Sequence, residues 1–168
     1  MKNLINEVYN KNIKRCLDAK TKWLGSKYEV VKYLSTTDKG NFGENFTTEL
    51  LNKIGYVSER VNGGIGDFDI VIKKAGIKLE HKLATEDVHD SFQFNALDKD
   101  KKYDYVFCLG VSPNEILFNI YPKSVVKNLT TRMTKAEGGY KMTVRNYNMI
   151  PLTVENLKDK MKELIKNA

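Results

Sequence analysis

Hydrophobic residues recur at helical spacing near the start of the chain and at strand spacing through its middle. Leu4, Ile5, Val8, Tyr9, Ile13 and Leu17 predict an amphipathic helix over residues 3–19. Residues 28–34 predict a second, short helix. Phe42, Phe46, Leu50, Leu51 and Ile54 form an apolar stripe that predicts a third over 40–54, stopped by Gly55. Residues 56–61 predict a strand, and 62–66, with three glycines, a flexible connection. Two runs rich in β-branched residues, 68–72 and 77–83, flank a turn containing Gly76 and predict a β-hairpin. Further on, 91–97 predicts a short helix and 103–111 a buried central strand, because its apolar run is continuous. Pro113 and Asn114 predict a turn, 116–121 a strand, 123–129 a helix and 140–147 an edge strand. Thr153 is the expected cap of a last helix with Leu157, Met161, Leu164 and Ile165 on one side. There is no repeat, low-complexity tract or linker. Helices followed by strands with interleaved helices imply an α/β domain around a mixed sheet of about five strands. At 168 residues the chain reads as one domain, long enough for a proper core.

The hairpin gathers charge on one face. If Ile72 faces Ile77 across the turn, Asp69 lies opposite Glu80 and Asp67 opposite Lys82. Alternation then puts Phe68, Ile70, Ile72, Ile77, Leu79, His81 and Leu83 on an apolar face. The other face carries Asp67, Asp69, Glu80 and Lys82. Like charges directly opposite are destabilising, so this pairing implies a cation between Asp69 and Glu80, a divalent metal foremost. Two plainer alternatives stand beside it. Glu80 and Lys82 can form an ion pair on an exposed strand, and a register slip of two would put Asp67 in place of Asp69.

Composition narrows the function classes. Hydrophobic content of 41% and charged content of 29% are ordinary for a globular protein. No apolar run is long enough to span a bilayer, and the polar N-terminus carries no signal-peptide pattern, so a cytoplasmic location is expected. Cys16 and Cys108 are isolated, and buried, reduced thiols are expected. His81 and His89 lack partners at zinc spacing. Gly63, Gly64 and Gly66 precede a strand rather than a helix, unlike a phosphate-binding loop.

The net charge of +7 is unevenly spread. Residues 1–40 carry 9 basic and 4 acidic side chains, 41–100 carry 7 and 11, and 101–168 carry 12 and 6. An acidic middle between basic flanks suits a central metal and a surrounding polyanion such as DNA. A lysine-rich composition throughout would give the same total.

Asp69 followed by Glu80-His81-Lys82, downstream of a helix carrying Glu44, resembles the PD-(D/E)XK nuclease superfamily. That group includes many type II restriction endonucleases and the archaeal Holliday-junction resolvases. Gly40-Asn41-Phe42-Gly43-Glu44, leading into Leu50-Leu51 and Gly55-Tyr56, resembles the opening helix of the resolvases. The resemblance spans residues 40–122. It leaves a helical segment over 1–39 and a strand and helix over 123–168. Phe68 stands where the family name has proline.

The resemblance implies a restriction-endonuclease-like core and a DNA endonuclease, double-stranded or branched DNA being the substrate. It also implies a homodimer, since two sites serve two strands. A type II restriction-like enzyme is the leading expectation and a junction resolvase the nearest rival. A non-catalytic nucleic-acid-binding or assembly module is the alternative from another class, and an RNA substrate stays open. By resemblance, Glu44 is an early metal-binding glutamate, the His81 carbonyl a further ligand, and Gln93 an active-site glutamine.

The chemistry of the residues agrees. Magnesium takes oxygen ligands, commonly one or two carboxylates completed by water and phosphate, so Asp69 and Glu80 suit Mg²⁺, with Mn²⁺ as a substitute. Lys82 is placed to orient a water, to stabilise charge, or to act as a base if its pKa is depressed. Glu44 would serve a second metal. Phe92 and Phe94 suit either base stacking or core packing, and Lys99, Lys101 and Lys102 either phosphate contact or a solvated turn.

Overall fold

The computed structural model describes residues 2–61, 66–132 and 138–166. Residues 62–65 of the connection expected over 62–66, and the side chain of Cys16, lie outside the described residues.

Helix α1 (Lys2–Trp23) extends past its expected end, and α2 (Glu29–Tyr33) follows. Trp23, Val31 and Val111 form a small apolar cluster that anchors this segment. Leu4, Ile5, Val8, Tyr9 and Leu17 of α1 are exposed, so its apolar stripe does not enter the core. Helix α3 (Thr36–Lys53) starts four residues before the apolar stripe predicted. Its N-cap is Ser35, whose hydroxyl oxygen accepts a bond from the Asp38 N–H at 3.1 Å. It ends at Gly55, where φ is +101°, a conformation that favours glycine.

The strands follow as β1 (Ser58–Arg60), β2 (Ile70–Ile72) and β3 (Ile77–Thr85). The β2–β3 hairpin has the expected register: Ile72 pairs with Ile77 and Ile70 with Leu79. Phe68 departs from its expected face. Strand β2 begins only at Ile70, so alternation does not bind Phe68, and it packs on the opposite side of the sheet with Lys78 above its ring.

Residues 91–97 form a strand, β4 (Ser91–Leu97), not the expected short helix. Phe92 and Phe94 are buried while Gln93 and Asn95 are exposed, a period of two. The Phe92 ring packs against Gly110, where an added Cβ would stand 3.0 Å from it. The chain continues through β5 (Tyr105–Val111) and β6 (Ile116–Pro122). Then come α4 (Lys123–Leu129), β7 (Thr130–Arg132) and β8 (Tyr140–Arg145). Strand β9 (Ile150–Pro151) and α5 (Val154–Lys166) complete the chain. Thr153 caps α5 through a 3.1 Å bond from the Asn156 N–H.

The central sheet is mixed and has six strands in the order β1-β2-β3-β5-β6-β9, where about five were expected. Its β3–β5 pair is parallel, and the other pairs are antiparallel. A parallel pair needs a crossover, usually helical. Here β4 lies within that crossover and joins a second sheet ordered β4-β8-β7. Strand β8 is therefore central in this sheet, not the expected edge strand.

One face of the six-stranded sheet packs against α3 and α5 through Leu51, Ile70, Leu79, Phe107, Leu157 and Met161. Leu157, Met161 and Leu164 of α5 are buried as expected, whereas Ile165 is exposed. The other face packs against the second sheet through Phe92, Phe94, Val106, Cys108, Met142 and Val144. Buried side chains of this size stabilise by roughly 1.5–3 kcal/mol each. Among the described residues, no helix is long and apolar enough to cross a membrane.

Candidate active site

The charged face of the hairpin opens into a cleft of about 490 Å³ between α3, β3 and β4. Glu44, Asp69, Glu80, Lys82 and Gln93 all line it. Asp67 is exposed, outside the paired strand and outside the cleft lining.

Asp69 sits just before β2 and is held there by its main chain. Its N–H donates to the Leu79 carbonyl at 2.9 Å, continuing the hairpin ladder by one step. Its Oδ2 accepts a 2.7 Å bond from the His81 N–H. Burial raises the Asp69 carboxyl above its ordinary value, and the Glu44 charge acts in the same direction. The His81 N–H, Lys82 and Lys101 oppose that shift.

Glu80 is fully buried. A lone buried carboxylate is costly, and two lysines offset its charge. Lys82 Nζ is 2.8 Å from Oε1 and Lys101 Nζ is 3.4 Å from Oε2. The Lys82 contact is electrostatic only: it lies outside hydrogen-bonding geometry, and among the described residues Oε1 has no hydrogen-bond donor. Two residues apart on one strand, Glu80 and Lys82 necessarily face the same way.

His81 points to the opposite side. Its ring is buried, stacks on Phe107 at 5.6 Å between centroids, and exchanges a 3.0 Å hydrogen bond with Thr47. Burial lowers its pKa to about 3, with Lys82 acting in the same direction, so the ring is neutral. The ring is held against Phe107 and Thr47 on the α3 side, and the main-chain carbonyl is the ligand that the resemblance assigns to this residue.

Glu44, on α3, does not stand free. Its Oε2 accepts a 2.6 Å bond from Arg60 Nε, and the guanidinium also bonds Asn41 and Asn45. Gln93 is exposed on β4, where a helical position was expected. Phe92 and Phe94 are wholly buried in the core and do not reach the cleft.

Sequence reasoning missed two partners. Arg60 gave no signal, since nothing local relates it to Glu44. Lys101 stood inside a recognised basic cluster, but its pairing with Glu80 depends on the turn before β5. Lys123 braces that turn by donating to the Lys101 carbonyl.

Among the described residues, no three His, Cys, Asp or Glu side chains cluster closely enough to form a metal cage by themselves. Asp69 and Glu80 nevertheless fit magnesium, which is commonly held by one or two carboxylates with water and phosphate completing its shell. The buried Glu80 Oε1 without a hydrogen bond is the kind of atom a cation would satisfy.

No protein-family model matches the sequence, and no curated protein matches it. Solved structures similar in fold include the following two. A bacterial homing endonuclease is 16% identical, with a TM-score of 0.46, over 66% of this chain and 78% of that one. The Holliday junction resolvase of Archaeoglobus fulgidus is also 16% identical, with a TM-score of 0.45, over 73% of this chain and 97% of its own. At this degree of likeness neither neighbour bears on the chemistry of the site.

Proposed function

We propose that this chain is a Mg²⁺-dependent DNA endonuclease, a single nuclease domain over residues 1–168 that acts as a homodimer. The carrying observation is the fully buried Glu80, aligned with Lys82 on one strand and facing the same cleft as Asp69. A structural ion pair needs neither that burial nor a second carboxylate across the hairpin.

Asp69 and Glu80 hold the metal, with Mn²⁺ as a substitute, and the His81 carbonyl adds a ligand. The chemistry such an ion would supply there is charge neutralisation at the scissile phosphate and a more acidic water. Lys82 orients the nucleophilic water and shifts from Glu80 to the developing charge on phosphate. Lys101 provides a second positive charge on the same side. Glu44 assists once Arg60 releases it, and Gln93 holds the substrate from the β4 side. Within this class, a type II restriction-like activity is the leading reading.

The test is incubation of the full chain with supercoiled plasmid and with a four-way junction, in Mg²⁺ or EDTA. Glu80→Gln and Lys82→Met run alongside. Discrete plasmid cutting that needs Mg²⁺ and is lost in both variants is the expected result. Cutting of the junction alone would replace the restriction-like reading by a resolvase. Cutting that persists in EDTA, or in Glu80→Gln, would sink the proposal.

A further inference from the structure

The second sheet has one buried face and one open face. Phe92, Phe94, Met142 and Val144 fill the core side. Gln93 is paired with Thr143, and Thr131 with Lys141. Alternation therefore turns Gln93, Asn95, Thr131, Lys141, Thr143 and Arg145 to the other side. All of these are exposed except Lys141, which is half-buried. None of the three strands contains an acidic residue, although the chain carries 21 of them.

This open face runs directly into the candidate active site. Gln93 and Asn95 line the same cleft as Asp69, Glu80 and Lys82. At that junction β4 is irregular: its register shifts between Phe94 and Leu97, and Ala96 has φ +53°. Such a bulge bends a strand and re-aims its side chains, and bulges are over-represented beside active sites. Arg145 is steadied at the far end by a 2.5 Å bond to the His89 carbonyl.

The residue types suit base edges. Asn and Gln pair bidentately with adenine, Arg with guanine, and Thr contacts either a hydrogen-bonding group or the thymine methyl. The major groove of duplex DNA, about 12 Å wide, admits a two-stranded antiparallel ribbon. A single strand or an RNA duplex offers no such groove, since the A-form major groove is too narrow for side chains to read.

We propose that the open face of the β4–β8 ribbon is a docking surface for the major groove of duplex DNA, placing Asn95, Thr143 and Arg145 against base edges and Lys141 against phosphate. The choice of ligand rests on the proposed nuclease function, and the surface adds to it the substrate form and the elements that select a sequence.

The test is fluorescence anisotropy of the full chain in EDTA, so that no metal chemistry takes part. The probes are a random-sequence DNA duplex, the corresponding single strand and an RNA duplex. Lys141→Glu with Thr143→Glu should weaken duplex binding by roughly tenfold or more, and Lys141→Ala should lower the salt slope by about one. Lys158→Glu with Lys162→Glu, a comparable charge change on α5, should alter affinity by less than about twofold. If the glutamate pair fails to melt cooperatively, Lys141→Ala with Thr143→Ala decides, with a loss of roughly threefold or more expected. Unchanged duplex affinity in a folded variant would overturn the surface, as would tighter binding of the single strand or of RNA. These outcomes separate from the nuclease reading. A variant that loses binding while wild type cuts nothing supports the surface and defeats the nuclease, and the converse defeats only the surface.

Discussion

Gly43 lies against the imidazole of His81 so closely that an added Cβ would stand 2.5 Å from Cε1. This is where α3 meets β3. One turn further along, Thr47 bonds the same ring at 3.0 Å. Because Glu44 follows Gly43, this contact also sets how far Glu44 reaches over the cleft.

Gly43→Ala should therefore destabilise the fold. His81 is buried against Phe107 and cannot swing aside. Overpacking of this kind costs about 1–3 kcal/mol, or a fall in melting temperature of roughly 2–12 °C for a chain of this size. A calorimetric scan checks it. A melting temperature equal to wild type would show that α3 shifts freely on the sheet.

His81 also makes stability depend on pH. Burial lowers its pKa to about 3 in the folded chain, while the unfolded chain has an ordinary histidine near 6.5. Below that value the unfolded state takes up a proton that the folded state refuses, so this contribution to stability is lost as pH falls from about 6.5 towards 3. Its limiting slope is about 1.4 kcal/mol per pH unit. Urea titrations of wild type and His81→Gln between pH 7 and pH 4, in the window set by that shift, should differ by such a slope. Parallel curves would refute a neutral buried ring.

Under the proposed function, Lys101 would compete with the metal for Glu80. Its Nζ lies 3.4 Å from Oε2, while Lys82 Nζ stands 2.8 Å from Oε1 in a charge contact without a hydrogen bond. Lys101→Met should tighten Mn²⁺ binding measured without DNA by roughly three- to tenfold, equivalent to about 1 kcal/mol of relieved repulsion. The same variant should cleave more slowly at saturating metal, having lost a cation near phosphate. Unchanged or weaker Mn²⁺ binding by titration calorimetry would remove Lys101 from the site.

Ser35 begins the helix that carries Glu44. Its hydroxyl accepts from the Asp38 N–H, and the Asp38 carboxylate lies 2.7 Å from it. Ser35→Ala should cost about 1 kcal/mol, and Ser35→Thr, which keeps a hydroxyl both to accept from the Asp38 N–H and to donate to its carboxylate, should restore most of it. Equal melting temperatures in all three proteins would count against the cap.

Helix α4 has the bounds expected of it, and the central place of β5 was legible from its unbroken apolar run, which suits a strand covered on both faces. The hairpin register was legible too. Burial of Ile70, Ile72, Ile77 and Leu79 excludes a slip of one, and the turn at Gly76 sets the observed register against the slip of two that would have brought in Asp67. Asp69 and Glu80 could be nominated together for that reason. Residues 91–97 misled because Ser-Phe-Gln-Phe-Asn-Ala-Leu is short and interrupted by a bulge, and the crossover between parallel strands is usually helical.

The sequence by itself determined the local pieces: the α3 helix, the β2–β3 hairpin, and a strand that points Glu80 and Lys82 the same way. Periodicity and turn chemistry act over a few residues, and those pieces need no more. The tertiary structure alone decided what meets across the cleft. Arg60 reaches Glu44 from 16 positions away and Lys101 reaches Glu80 from 21. Phe92 packs against Gly110 of β5, and its neighbours Gln93 and Asn95 on β4 line the cleft. Contacts of that range depend on how two sheets and a helix pack, because close packing rather than local propensity sets their spacing.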